Sequence, residues 1–503
     1  MNSLNRRTFI KGTVASAASI GLAPVLGGKL FAQRAPQKAP AVARFSDPNE
    51  EIRVAVVGFH GRGADHIKEI DRLRRDGEKV RIVALCDVDR HVLDKGVENF
   101  EKESEKVEVY TDIRKLLEKG DFDAVTIATP NHWHALASIW AMQAGKDVYV
   151  EKPVSHNVSE GRRMVEAARK YNRIVQTGTQ SRSSSGIKEA VAWVKEGNLG
   201  KIQVARGLCY KPRGSIGKTS GPQAVPDYID YDLWCGPAPL DPPRRSTGFG
   251  PIHYDWHWFW AYGAGDLGNQ GIHQMDIARW FLGATELSPR VFSVGGRLGY
   301  EDDGETPNTQ IVYHDYAKAP LIFEVRGLPE KTESKNMDKY KGGSVAVIIE
   351  CEGGHVFVPN YNSASAIDKE GKEIQKFTGA SSHFANFFKA MRSRKMTDLN
   401  ADILEGHLSS ALCHTGNISY RLGAQKSPDE IKEAIKADKD ALPTFERMAE
   451  HLAANGVDLE KTRATLGVVL KMDPKNETFP GNAKANALLT RQYRKPFVVP
   501  AKV

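Results

Sequence analysis

Lys152 follows the apolar run Asp147-Val148-Tyr149-Val150 and stands in the tripeptide Glu151-Lys152-Pro153. A lysine at a strand end can offer three hydrogen bonds and a positive charge to a reacting hydroxyl or carbonyl. Strand ends are also where open α/β sheets place their ligands. A solvated lysine is the plain alternative, and the surroundings decide between them. A second group lies in Asp266-Leu267-Gly268-Asn269-Gln270-Gly271-Ile272-His273-Gln274-Met275-Asp276, which runs into an apolar helix from Ile277 to Leu282. A helix beginning by Gly268 places Asn269, His273 and Asp276 on one face. A histidine flanked by an amide and a carboxylate is an oriented acid/base group. Just before it, six residues of the stretch His253 to Tyr262 are Tyr, Trp or Phe. Flat rings with polar edges suit the faces of pyranose rings, and His and Asp can bond hydroxyls. Tyr254, His257, Trp258 and Asp276 are therefore candidates for substrate binding, with an aromatic core hairpin as the alternative.

The elements that must position these groups begin at Ile52. Ile52 to Val57 is a β-branched run that ends in Gly58-Phe59-His60-Gly61-Arg62-Gly63, followed by Ile67, Ile70 and Leu73 at helical spacing. Strand, glycine turn and helix form the context in which a glycine motif binds a dinucleotide. His60 takes the place of the usual second glycine and Gly61 comes one position late, so His60 or Arg62 is expected to help hold a phosphate. A second strand, Val80 to Cys86, ends at Asp87, 24 residues beyond Gly63. That is close to where a carboxylate bonds a ribose 2′-hydroxyl and repels a 2′-phosphate, which favours NAD over NADP. Arg90 weakens the preference slightly. Further strands are expected at 107–110, 124–129, 147–150 and 174–177. Helices are expected between them, one opened by Asn157 and Glu160 at capping-box spacing. Six such strands predict a doubly wound parallel sheet over 51–178.

Gly58 to Gly63, Asp87, Ala128-Thr129-Pro130-Asn131 with His134, and Glu151-Lys152-Pro153 together resemble the Gfo/Idh/MocA oxidoreductases, over about residues 51–430. The resemblance implies that Lys152 lies beside the nicotinamide and the reacting sugar carbon. It implies that Thr129, Pro130 and Asn131 line the cofactor site, with His134 and Glu151 close by. Gln180 and Arg182, at the junction after the last strand, are expected near the nicotinamide and substrate. The family places an aspartate four residues before its histidine and pairs it with the lysine; here that position is Asn269. This leaves Lys152 and His273 as proton carriers, with Asn269 orienting substrate. His132 and His134 have no evident carboxylate partner, so packing or cofactor contact is expected of them and no metal site.

Beyond 178 the pattern changes. A strand at 201–209 and a Pro- and Gly-rich loop over 211–250 precede the aromatic stretch. Spaced strands at 290–294, 309–313, 321–325, 344–350 and 355–358 then predict an open, mostly antiparallel sheet in an α+β domain over 179–424. The family's sheet often mediates oligomers, so a homo-oligomer is expected. Helices are expected at 383–391 and 401–421, where His407 and His414 read as structural. An amphipathic helical extension is expected over 425–503. The chain has 503 residues, a net charge of +8 with no long basic tract, and five cysteines without CxxC spacing. These argue for more than one domain, against nucleic acid as a partner, and against a disulfide framework or structural zinc. Asn5-Arg6-Arg7-Thr8-Phe9-Ile10-Lys11, before a weakly apolar run, resembles a twin-arginine export signal, with cleavage after Ala32 or Ala43. The run is a poor membrane span, and residues 1–43 are read as signal and linker.

Two enzyme readings follow. One is an oxidoreductase acting on a sugar or glycoside hydroxyl, periplasmic or otherwise extracytoplasmic, with NAD held tightly because export leaves no dependable pool of it. The other is a redox-neutral glycoside hydrolase of the same fold. A cofactor-bound binding protein is the non-catalytic alternative.

Overall fold

The computed structural model describes residues 50–245 and 250–503. The export signal and linker read over 1–43 lie outside the described residues.

The first sheet is parallel, with the order β3-β2-β1-β4-β5-β6. Its strands are β1 (Ile52–Val57), β2 (Val80–Cys86), β3 (Glu108–Tyr110), β4 (Ala124–Ile127), β5 (Asp147–Val150) and β6 (Val175–Thr177). β1, β4 and β5 are buried almost throughout, which explains why they read as continuous apolar runs rather than alternating ones. The order reverses between β1 and β4, so ligands belong in the crevice at the C-terminal ends of those two strands. Asn157 does open the helix Val158–Lys170, its side chain accepting from the Glu160 amide at 3.0 Å. The helix after β4 begins at Asn131.

The second sheet contains β7 (Ile202–Tyr210), β8 (Arg290–Gly296), β9 (Thr309–His314), β10 (Leu321–Arg326), β11 (Val345–Cys351), β12 (Gly354–Val358), β13 (Ser363–Asp368) and β14 (Glu373–Thr378). Its pairings are antiparallel except for β7 with β10. Both faces of its centre are covered. Ala205, Val291, Val312 and Phe323 pack with Ile272, Met275, Phe281 and Leu412. Their neighbours Val204, Phe292, Ile311 and Ile322 pack with Phe445, Met448 and Leu452 on the opposite face, as the two-residue period of a strand requires. Each such fully buried Phe, Met or Leu contributes about 1.5–3 kcal/mol. The C-terminal extension is thus partly a cover for the sheet. It holds the helices Pro428–Ile435, Ala441–Ala454 and Ala483–Ala487, and it is not purely helical. β15 (Ala424–Lys426), β16 (Ala464–Leu466) and β17 (Leu470–Lys471) add to the sheet edge. Among the described residues no helix is long and apolar enough to cross a membrane.

Candidate active site

The crevice at the strand ends is a cavity of about 330 Å³, in the range of small-molecule sites. From the Rossmann sheet it is lined by Gly58 to Arg62, Asp87, Asp89, Thr129 to Asn131, His134, Glu151 and Lys152. The opposite wall includes Leu233, Trp234, His253, Tyr254, His257 and Asn269. Most of the residues expected at a cofactor site therefore share one cavity.

The glycine loop is shaped by contacts that only glycine permits. Gly58 has φ +75°, and a Cβ there would lie 2.8 Å from the Thr129 amide nitrogen. Gly63 abuts the Gly58 carbonyl, where a Cβ would come within 2.0 Å. Gly61, by contrast, faces open space and is the residue just before the helix Arg62–Arg75. Across from it, Asn131 opens its own helix behind Pro130. The cavity is thus flanked by two helix N-termini, whose unpaired amides attract anions. The buried Thr129 Oγ1 and Asn131 Oδ1 find no protein partner. A dinucleotide fits this cradle. Its pyrophosphate would be held by Gly61, Arg62 and the helix amides, and its polar edges by Thr129 and Asn131.

Asp87 accepts from the amides of Phe59 at 3.0 Å and Asp89 at 3.1 Å. Burial nonetheless pushes its carboxyl up to about 6, against those amides. Glu151 is a hub. It accepts from Arg62 Nε at 3.0 Å, His66 Nε2 at 3.2 Å and Gln180 Nε2 at 3.3 Å. Burial opposes its charge, but His66 and Arg62 hold it well below the usual carboxylate range. Gln180 thus reaches the site through Glu151 and does not line the cavity. His60 stacks on His253 with ring centroids 3.9 Å apart. His134 is clamped between the carbonyls of Pro153 at 2.6 Å and Thr129 at 2.7 Å, so it ties the β4 turn to the β5 turn. His132 contacts the Trp234 carbonyl instead. Among the described residues no cluster of His, Cys, Asp and Glu could hold a metal ion.

Lys152 precedes a cis peptide to Pro153, and its Nζ donates to the backbone carbonyl of Asn269 at 3.0 Å. Burial holds it below the ordinary lysine value of 10.5, opposed by Glu151. His273 packs against Tyr361 with ring centroids 4.8 Å apart, and its Nδ1 has no protein partner. Burial, with the Lys152 charge behind it, pushes His273 down to about 3. It is therefore a neutral imidazole near pH 7 and a hydrogen-bonding group rather than a store of protons. His257 is likewise pushed down to about 3 by burial, against the carbonyl of Tyr254 that its Nδ1 meets at 2.6 Å.

The expected single face of Asn269, His273 and Asp276 divides. One helix ends at Asn269, a second starts at Gly271, and Asp276 turns inward. Arg182 Nε donates to Asp276 at 2.8 Å, and Ser409 donates to it at 2.7 Å. Both members of the Arg182–Asp276 pair are buried, and neither lines the cavity. The structure therefore places these two candidate substrate residues against each other. Trp258 is also buried away from the cavity, under the Arg213 guanidinium 5.4 Å from its ring.

Sequence reasoning missed the groups beside them. Arg213 forks onto Asp266 at 3.0 and 2.8 Å and donates to the Tyr254 hydroxyl at 2.8 Å. Lys211 donates to the Gln270 side chain at 3.0 Å, and Gln270 donates to the Tyr361 hydroxyl at 2.9 Å. Lys211 and Arg213 directly follow β7, so the strand-end argument applied to Lys152 would have found them.

A Rossmann sheet with a dinucleotide cradle, joined through a lysine to a second α/β domain, defines an NAD-binding oxidoreductase architecture. Residues 52–179 match the family model for the NAD-binding Rossmann fold of the Gfo/Idh/MocA oxidoreductases, and residues 200–449 match that for their C-terminal α/β domain. The chain belongs to this family. A glycosyl hydrolase family 109 protein of Shewanella baltica is 32% identical over 176 residues, 33% of this chain and 38% of that one. An α-N-acetylgalactosaminidase of Shewanella oneidensis is 31% identical over a stretch of the same size. The chain thus matches well under half the length of these curated relatives. Among solved structures, the WlbA dehydrogenase of Bordetella pertussis, in complex with NADH and UDP-GlcNAcA, shares the fold. Its TM-score is 0.52 at 19% identity, over 72% of this chain and 93% of that one. A putative NADPH-dependent oxidoreductase of Desulfitobacterium hafniense gives a TM-score of 0.54 at 14% identity, over 73% and 94%.

Proposed function

We propose that this protein is an NAD-dependent oxidoreductase acting on a hydroxyl of a sugar or glycoside. The observation that carries the reading is the position of Lys152. It lines the cavity shaped by the glycine loop, and its ammonium reaches the second domain at Asn269. When bound there, NAD supplies a hydride acceptor. Lys152, made easier to deprotonate by burial, takes the hydroxyl proton. The Tyr254 and Asn269 side chains, which line the cavity, orient the hydroxyls, whereas neutral His273 packs on Tyr361 outside that lining. Glu151 holds Arg62, which would meet the phosphates of a bound dinucleotide. The aspartates at the end of β2 favour NAD over NADP. The same proposal includes export by the Arg6-Arg7 signal with the cofactor already seated, and assembly into a homo-oligomer.

The likeness to glycosyl hydrolase family 109 favours a second reading, in which the sugar is oxidised, its aglycone is eliminated, water adds in its place and the hydride returns, so that no net oxidation occurs. One experiment separates them. The purified protein is denatured and any released dinucleotide identified by mass spectrometry; native protein is then offered free sugars and aryl glycosides. Reduced cofactor without aglycone release supports the oxidoreductase, and aglycone release without net reduction supports the hydrolase. No dinucleotide, and no activity on adding NAD, overturns both.

A further inference from the structure

The cavity has two second-domain walls, and they are tied to the Rossmann domain very differently. The first, around Ile229 to Gly236, is fixed by backbone. Ile229 bridges to Asp89. The Arg90 amide donates to Tyr228 at 2.9 Å and the Asp230 amide to Val88 at 3.0 Å. Trp133 Nε1 donates to the Leu233 carbonyl at 2.9 Å. Gly236, at φ +47°, lies so close to Trp133 that a Cβ would sit 2.3 Å from its ring. The C-terminal tail braces the same wall. Arg494 donates to Asp232 Oδ1 at 2.6 Å and to the Gly236 carbonyl at 3.0 Å, and Phe497 packs edge-on against Trp133.

The second wall, Ile252 to His257, belongs to an apolar cluster that packs against Val88, and among the described residues its hydrogen bond to the Rossmann domain comes from His253. His253 Nε2 donates to Asp89 Oδ2 at 3.0 Å, and the His253 ring lies nearly parallel to that of His60 in the glycine loop. Asp89 is fixed independently, because its Oδ1 caps the helix Arg90–Lys102 through the His91 amide at 2.8 Å. His253 therefore meets two residues of the Rossmann side of the cavity, His60 and Asp89, which line it together with Asp87.

We propose that His253 is a clasp that positions the second wall over the dinucleotide and governs how slowly the cofactor leaves. The clasp rests on the reading of the cavity as a dinucleotide site. It belongs to that site without touching the reacting atoms. It uses a bond to a carboxylate and a stacked ring, so two conservative variants divide it: His253→Phe keeps a ring on His60 but loses the bond, and His253→Gln keeps a donor but loses the ring.

The test is the rate of NADH release from the intact protein. It is followed by the fall in bound-NADH fluorescence when excess NAD is added. Losing a hydrogen bond to a charged group and a stacked ring should make His253→Ala release NADH about tenfold faster or more. His253→Phe and His253→Gln should fall between it and the parent. Release from His253→Ala within about twofold of the parent overturns the clasp while leaving the dinucleotide reading intact. Failure of the parent protein to bind NADH or NAD overturns both.

Discussion

The Lys152 ammonium meets the main-chain carbonyl of Asn269 at 3.0 Å. The seam between the two domains is therefore bridged by a lysine and a peptide group rather than by a lysine and a carboxylate. The asparagine in place of the family's aspartate matters less to holding the lysine than its position suggested, because any residue at 269 supplies the carbonyl. It matters more to the charge of the lysine, because no carboxylate side chain at 269 stabilises the ammonium.

Removing the amine removes the proposed proton acceptor and leaves the glycine loop untouched. Lys152→Met is expected to lower turnover by about 10²–10⁴-fold. Dinucleotide content after purification should not change. Turnover within a few-fold of the parent would transfer the acid/base role to another group.

The Lys152–Asn269 geometry also sets a pH dependence. Lys152 must be neutral to accept a proton, so the rate should rise with pH and level off at a pKa below the ordinary lysine value of 10.5. Asn269→Asp adds a negative charge that stabilises the ammonium, and the rising limb should move to higher pH. Asn269→Ala keeps the carbonyl and should leave the limb near its original place. Parallel pH profiles of kcat for the three proteins decide this.

Asp87 should make cofactor preference depend on pH. Burial pushes its carboxyl up to about 6. Above that value it is a carboxylate that repels a 2′-phosphate; below it, the neutral acid repels nothing. The ratio of NADP to NAD dissociation constants should therefore shrink between about pH 8 and about pH 5. Asp87→Asn should show the small ratio at every pH.

Much of the site was legible because its first half is local. Strand β1, the loop to Gly63 and the carboxylate after β2 follow one another in a fixed order, and parallel strands write themselves as unbroken apolar runs. Lys152 was found in the same way. The second half depends on pairings between distant positions: Arg182 with Asp276, Arg213 with Asp266, and His253 with Asp89. Helical spacing put Asp276 beside His273, but it carried no sign that Arg182 and Ser409 would draw that carboxylate inward. The extension was opaque for a related reason. Its helices show an apolar face, but only the sheet residues around Phe292 and Ile322 reveal what the face covers.

The Arg182–Asp276 pair predicts a stability effect in place of a binding one. Arg182 also reaches Glu405 at 2.9 Å. Removing one partner of a buried ion pair typically costs about 3–5 kcal/mol. Asp276→Asn should therefore lower the unfolding midpoint in urea. Protein that remains folded should keep its KM for substrate. A raised KM with an unchanged midpoint would return the pair to the substrate site.

Two glycines of the loop, Gly58 and Gly61, separate shape from occupancy. Alanine at 58 would be forced to φ +75° with its Cβ 2.8 Å from Thr129, so Gly58→Ala should both destabilise the protein and weaken dinucleotide binding. Alanine at 61 meets nothing within 4 Å, so the cofactor-free protein should lose less stability than Gly58→Ala does. If the pyrophosphate lies against Gly61, the added methyl occupies its place, and affinity for NAD should fall by about tenfold or more. Calorimetric titration of NAD into Gly61→Ala, alongside its melting curve without cofactor, makes the comparison. Unchanged affinity would move the phosphates away from Gly61.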